Sequence, residues 1–136
     1  MFIISFVAGW LSTMNMWVNS ISDVRLHVND LYMVILMTGW MLLFMIVFDK
    51  KNYKNMLLLV VIIGVICITI YLIRTQTFVD DIQFMRGMIP HHSMAITMAS
   101  HIQTKTKNPI IKKLTKNIIE SQQKEIDVMN MLLENI

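Results

Sequence analysis

The residues with the clearest chemistry lie between Phe84 and Ala99, where the sequence reads FMRGMIPHHSMAITMA. This stretch holds two adjacent histidines, one proline and four methionines within sixteen positions. Neutral imidazole and thioether groups are soft metal ligands, and together they suit copper, above all Cu(I). The stretch is therefore interpreted as a helix that carries a metal site.

Helical spacing divides these ligands between two faces, because adjacent residues point about 100° apart on a helix. The first face meets acidic and thioether groups of a later helix, and its residues form the predicted primary site: His92, Met85, Met88, Glu125 and Met129. The second stripe has spacings of 3, 4 and 3 residues and forms a predicted secondary site, open to completion by another subunit: His91, Met94, Met98 and His101.

Each histidine also has a simpler interpretation, as a hydrogen-bonded core or surface residue. For a histidine pair inside a methionine cluster that faces Glu125, the metal interpretation is favoured. Two roles are open for Glu125 itself, as a metal ligand or as the acceptor that orients a histidine ring.

The residue types also discriminate between metals. A di-iron carboxylate bundle needs several inward-facing glutamates, and the helix that carries the two histidines has none. Structural zinc sites use cysteine and histidine rather than thioether. Copper fits best, as Cu(I) rather than Cu(II). No nucleophile–base pair or cofactor motif is visible, so binding is expected rather than catalysis, with a redox-active copper centre as an alternative.

Two long helices are predicted to position these residues. The first covers about 78–104, with Thr77 as its cap and a kink near Pro90, and the second covers about 109–135, with Asn108 as its cap. Each is roughly 40 Å long, so they match as an antiparallel hairpin. Two helices bury little apolar surface, so pairing with another copy into a four-helix bundle is expected.

The two faces that should meet follow from the apolar periodicity. On the first helix the predicted face holds Phe78, Asp81, Met85, Met88, His92, Ile96 and Ala99. On the second helix it holds Ile111, Leu114, Ile118, Gln122, Glu125, Met129 and Leu132.

The first 76 residues have the character of a membrane region. Apolar residues make up 55% of the chain and charged residues 15%, with a mean hydropathy of +0.56. Three stretches lack charged side chains, at 1–22, 31–48 and 56–73, and they predict membrane-spanning helices at about 2–22, 31–48 and 56–74. The first is the most polar of the three, and it lacks the basic start and cleavage site of a signal peptide.

Basic residues in the short loops predict the orientation. The loop 49–55 holds Lys50, Lys51 and Lys54, which favours the cytoplasmic side. With three spans, the N-terminus is then cytoplasmic and the hairpin is periplasmic or otherwise extracytoplasmic. Arg74 and Arg86 count against this orientation.

Other features of the sequence are less specific. A net charge of +3 with scattered lysines gives no basis for nucleic-acid binding. The single cysteine, Cys67, excludes an intrachain disulfide and is expected to be a buried, inert thiol. The second span also carries a methionine stripe: Met33, Met37, Met41 and Met45. The stripe is interpreted as lipid-tolerant packing in preference to a copper path. In a copper path, Met14, Met16 and His27 would be further ligands.

The motifs of the second half resemble a bacterial family, the domain of unknown function 305 (DUF305). The shared motifs are Met85-x-x-Met88-Ile89-Pro90-His91-His92, Met94-Ala95-Ile96-x-Met98-Ala99 and Gln122-x-x-Glu125-Ile126-x-x-Met129, within about residues 80–133. A subset of the family is also similar in having three preceding membrane spans, methionine-rich helices and an outer-loop histidine. The resemblance implies ferritin-like helical hairpins and exported copper binding linked to copper tolerance, but no reaction. His101 lies outside the shared motifs.

The sequence thus predicts an all-α protein, with a three-helix transmembrane region at 1–76 and an exposed, metal-binding helical hairpin at 77–136. The expected function is to sequester or transfer Cu(I) on the non-cytoplasmic side of a membrane, in copper homeostasis or tolerance. The expected partners are a copper ion, membrane lipid and further copies of the chain. The alternative is a structural membrane oligomer whose hairpin is an assembly module without a metal.

Overall fold

A computed structural model describes residues 2–48 and 56–136, and within these ranges the regular structure is all helical, as predicted. The elements are α1 (Phe2–Leu11), α2 (Val28–Phe48), α3 (Met56–Thr75), α4 (Asp81–Lys105) and α5 (Pro109–Glu134), with short 3-10 helices at Met14–Trp17 and Ile21–Asp23. The chain divides into two compact units. The first unit holds the residues up to Thr13 together with Val28–Val79, and the second holds Met14–His27 together with Asp80–Ile136.

In the first unit, α2 and α3 are long and apolar enough to cross a membrane. They have 21 and 20 residues, so each is about 30 Å long at 1.5 Å per residue. They pack through a small apolar core of Ile46, Ile62 and Ile66, where Gly39 allows the close approach of Ile66. These two helices bear out the second and third predicted stretches as candidate spans.

The predicted first span, 2–22, is wrong. Helix α1 ends at Leu11 after ten residues, which is about 15 Å and too short to cross a bilayer core. The hydroxyls of Ser12 and Thr13 donate to the carbonyls of Ala8 and Trp10, at 2.8 and 3.0 Å, and so satisfy the last turn without further helix. The described part of the chain therefore has two candidate spans, and the predicted cytoplasmic N-terminus depended on a third. The lysine-rich loop 49–55 lies outside the described residues.

In the second unit, α4 and α5 form the predicted hairpin, joined by three residues. Helix α5 begins at Pro109, and Asn108 caps it by accepting from the Ile110 N–H at 2.9 Å, as predicted. Helix α4 begins three residues later than predicted. Its cap is Asp80, which accepts from the Gln83 N–H at 2.7 Å, because Phe78 has a left-handed backbone with a φ of 61°.

The hairpin buries one apolar cluster between its helices, formed by Met85, Ile89, Ile96, Ile126 and Met129, with Met88, Ile119 and Leu133 packed against it. The buried face of α4 is close to the predicted one. The buried face of α5 is rotated by about one position, because Ile119 and Leu133 pack inward while Leu114 and Leu132 are exposed. Apolar residues occur in adjacent pairs on α5, so two neighbouring stripes were equally apolar.

Candidate metal centre

His92 lies at the edge of the hairpin core and is 8% exposed. It follows Ile89 by three residues and precedes Ile96 by four, so helical spacing keeps it on the face that meets α5. Its Nδ1 atom lies 2.9 Å from Oε2 of Glu125, whose side chain is 53% exposed. This ring nitrogen is buried, and the Glu125 carboxylate is the polar group beside it.

The surroundings of His92 keep its ring neutral. Burial lowers the pKa of His92 below its ordinary value of 6.5, because the charged form loses its hydration. The Glu125 carboxylate opposes this change and His91 adds to it, and the net effect is a lowered pKa. A neutral imidazole is the form that binds a metal.

Thioether groups share the interface with this imidazole. Met85 on α4 and Met129 on α5 belong to the buried cluster, with 7% and 9% of their surface exposed, and Met88 packs against it. The hairpin thus brings the predicted primary-site residues, His92, Met85, Met88, Glu125 and Met129, to one helix–helix interface. Imidazole nitrogen and thioether sulfur are the ligand types that a soft monovalent cation prefers.

The predicted secondary-site residues have mixed surroundings. Met94 is half-buried, whereas Met98 is 61% exposed and His91 and His101 are also exposed. In the described ranges, no group of three or more His, Cys, Asp or Glu side chains is placed to hold a metal ion.

His91 contacts a residue outside the hairpin. Its Nδ1 atom lies 3.3 Å from Sδ of Met14, which is 77 positions away in the sequence. From the sequence, Met14 was expected to bind copper only if the methionine stripe of the second span formed a copper path. No periodicity links Met14 to α4, so only the tertiary fold reveals this pair.

A buried polar network holds the segment Met14–His27 against α4. Ser93, which is fully buried, donates from Oγ to Oδ2 of Asp23 at 2.6 Å and accepts from the Asn19 N–H at 2.8 Å. The Asn15 side chain also closes the segment on itself, by bonding to both the N–H and the C=O of Arg25 at 2.9 Å. Sequence reasoning missed this network because its residues are ordinary polar loop residues.

His27 packs on the same helix one turn before His91. A Cβ atom added at Gly87 would lie 3.2 Å from Nδ1 of His27 and 3.4 Å from two of its ring carbons. Glycine at this position therefore lets an imidazole ring approach the backbone of α4.

Two further predictions concern the candidate spans. The methionine stripe of α2 is mostly exposed, with Met33, Met37 and Met41 at 51%, 38% and 42%. Cys67 is exposed on α3, which corrects the prediction of a buried thiol. In a membrane-spanning helix, lipid would surround such outward-facing apolar groups.

Comparisons with known proteins place this architecture in a family. The model of the domain of unknown function DUF305 matches residues 79–136. The uncharacterized protein L153 of Acanthamoeba polyphaga mimivirus is 54% identical over 135 residues, which cover 98% of this chain and 89% of the viral protein. No solved structure matches the chain. Neither description indicates a catalytic activity. The chain belongs to the family of this viral protein, and its residues 79–136 are a DUF305 domain.

Proposed function

We propose that this protein is a membrane-anchored Cu(I)-binding protein that sequesters or passes on copper on the non-cytoplasmic side of its membrane. The observation that carries the proposal is His92, a buried imidazole with a lowered pKa whose Nδ1 atom faces the Glu125 carboxylate at 2.9 Å. Met85 and Met129 lie in the adjoining core, and their thioethers would supply the sulfur donors that distinguish a copper site from a zinc site.

The membrane part of the proposal rests on α2 and α3. Both helices are long and apolar enough to span, and the loop between them carries three lysines, which favours the cytoplasmic side. Two spans return the chain to the side from which it started. The segment Met14–His27 and the hairpin then share the non-cytoplasmic side, which agrees with their membership of one compact unit.

Copper competition on the full-length protein in detergent micelles tests this function. Cu(I) held by a chromophoric chelator should pass to the wild type, and His92→Ala should lose a bound equivalent. His101→Ala is the matched control, because His101 is exposed on the same helix. A ligand that binds only the folded state also stabilises it, by about 2.7 kcal/mol when the free ligand concentration is a hundred times Kd. Cu(I) should therefore raise the Tm of the wild type. Equal retention by the wild type and His92→Ala, with no rise in Tm, would reject the proposal.

A second candidate is an assembly module without a metal, acting through copies of the hairpin. The observation that favours it is the exposure of several large apolar side chains of α5: Ile110, Leu114, Val128 and Met131, with exposed fractions between 49% and 77%. Such side chains, present on one helix, are typical of surfaces that associate. This function predicts an oligomer in micelles whose size and Tm do not change with copper.

A further inference from the structure

The geometry points to a second, exposed Cu(I) site, formed by His91 of α4 and Met14 of the N-terminal segment. The inference rests on the proposed function, since it adds a second site for the same ion. It replaces the predicted secondary ligands Met94, Met98 and His101 with a residue that lies outside the DUF305 domain.

The distance between the two donor atoms suits a shared ion. His91 Nδ1 and Met14 Sδ are 3.3 Å apart. For metal bonds of about 2.0 Å to nitrogen and 2.3 Å to sulfur, atoms at this separation subtend roughly 100° at the ion. That angle needs little movement to become tetrahedral or trigonal. A hydrogen bond from the imidazole to the sulfur would have the same length, so the test must separate ligation from packing.

Buried hydrogen bonds fix the position of this pair. Ser93 lies two positions after His91, and its buried bonds to Asp23 and Asn19 fix the segment that carries Met14. One turn before His91, the ring of His27 lies against Gly87, so a second residue of the segment packs on α4.

Exposure distinguishes this site from the one at His92. Met14 is 38% exposed and His91 is exposed, whereas His92 is buried. The two adjacent rings have their centroids 6.1 Å apart. An ion captured at the exposed pair would then be a short distance from the buried imidazole, which suits the uptake step of a protein that sequesters or transfers copper.

Cu(I) stoichiometry of the full-length protein in micelles, measured against a chromophoric chelator, tests this site. The wild type should bind two equivalents, and Met14→Leu and His91→Ala should each bind one. Met16→Leu is the matched control, because Met16 lies in the same 3-10 helix and is 58% exposed, and it should bind two. Leucine has nearly the volume of methionine, so Met14→Leu removes the sulfur with little change in packing.

The outcomes separate this inference from the proposed function. A wild type that takes up no Cu(I) overturns both. A wild type that binds one equivalent, lost in His92→Ala and kept in Met14→Leu, overturns the exposed site alone, as does a Met14→Leu variant that keeps two. Imidazole ¹⁵N NMR of the wild type avoids substitutions. A shift of the His91 Nδ1 resonance with Cu(I) supports the site, and an unchanged resonance overturns it.

Discussion

Two adjacent imidazoles, His91 and His92, have different surroundings because successive helical residues point about 100° apart. His92 turns toward α5 and is buried beside Glu125, whereas His91 turns toward Met14 and is exposed. Burial lowers the pKa of His92, so this ring is neutral and available to a metal near neutral pH. One dipeptide thus presents one shielded and one accessible donor.

Ser93 holds the segment Met14–His27 to α4, so its substitution should lower the stability of the second unit. Ser93→Ala removes the 2.6 Å hydrogen bond to the buried Asp23 carboxylate and leaves the Asn19 N–H without its acceptor. Each unsatisfied group costs about 1–3 kcal/mol, so a clear fall in the free energy of unfolding is expected, measured by thermal denaturation of the full chain.

Ser121→Ala is the control for that experiment. Ser121 is exposed and its hydroxyl donates to the Ile118 carbonyl of its own helix at 3.3 Å, so its loss should change the free energy of unfolding by no more than about 0.5 kcal/mol. Equal Tm values for the two variants would show that the Ser93 network does not hold the segment in place.

Among the elements, the hairpin could be predicted well because its signals are local. Asn108 followed by Pro109 marks the start of α5, and the apolar periodicity marks the face of α4. The buried face of α5 could not be predicted, because adjacent isoleucines at 118 and 119 make two neighbouring faces of the helix equally apolar. The first span was predicted from a stretch without charged residues, and the end of α1 at Leu11 was missed. The hydroxyls of Ser12 and Thr13 bond to carbonyls of the last turn, and a count of charged residues does not detect such bonds.

The packing of α2 on α3 depends on a small residue at position 39. A Cβ atom at Gly39 would lie 2.9 Å from Cγ1 of Ile66, so Gly39→Ala should force the helices apart. Overpacking of this kind costs about 1–3 kcal/mol, which should appear as a lower Tm of the full chain in micelles.

The chain offers a glycine control for this contact. Nothing lies within 4 Å of a Cβ atom placed at Gly64 on α3, so Gly64→Ala should leave the Tm unchanged or raise it slightly. A Gly39→Ala variant as stable as Gly64→Ala would contradict the close approach of the two helices.

At the scale of the whole molecule, the second unit is discontinuous in sequence. Residues 14–27 precede both candidate spans, yet they pack with 80–136. The contacts of Ser93 with Asn19 and Asp23 join positions 70 or more residues apart. No periodicity encodes such contacts between a polar segment and a distant helix. For this reason the predicted ligands all lie between residues 85 and 129 and do not include Met14, which His91 contacts.

This discontinuity has a consequence for membrane topology that labelling can test. If α2 and α3 are the spans, residues 14–27 and the hairpin lie on one side and the loop 49–55 lies on the other. Single cysteines at Ser22, Asn52 and Ser121, in a Cys67→Ser background, report each region to a thiol reagent that does not cross membranes. Ser22→Cys and Ser121→Cys should be labelled from the same, non-cytoplasmic side. Asn52→Cys should be labelled only from the cytoplasmic side, because the three lysines of its loop favour that side. Labelling of Ser22→Cys and Ser121→Cys from opposite sides would require an odd number of spans between them. It would also separate Met14 from His91 by the membrane, so the contact at 3.3 Å and the exposed copper site would both be excluded.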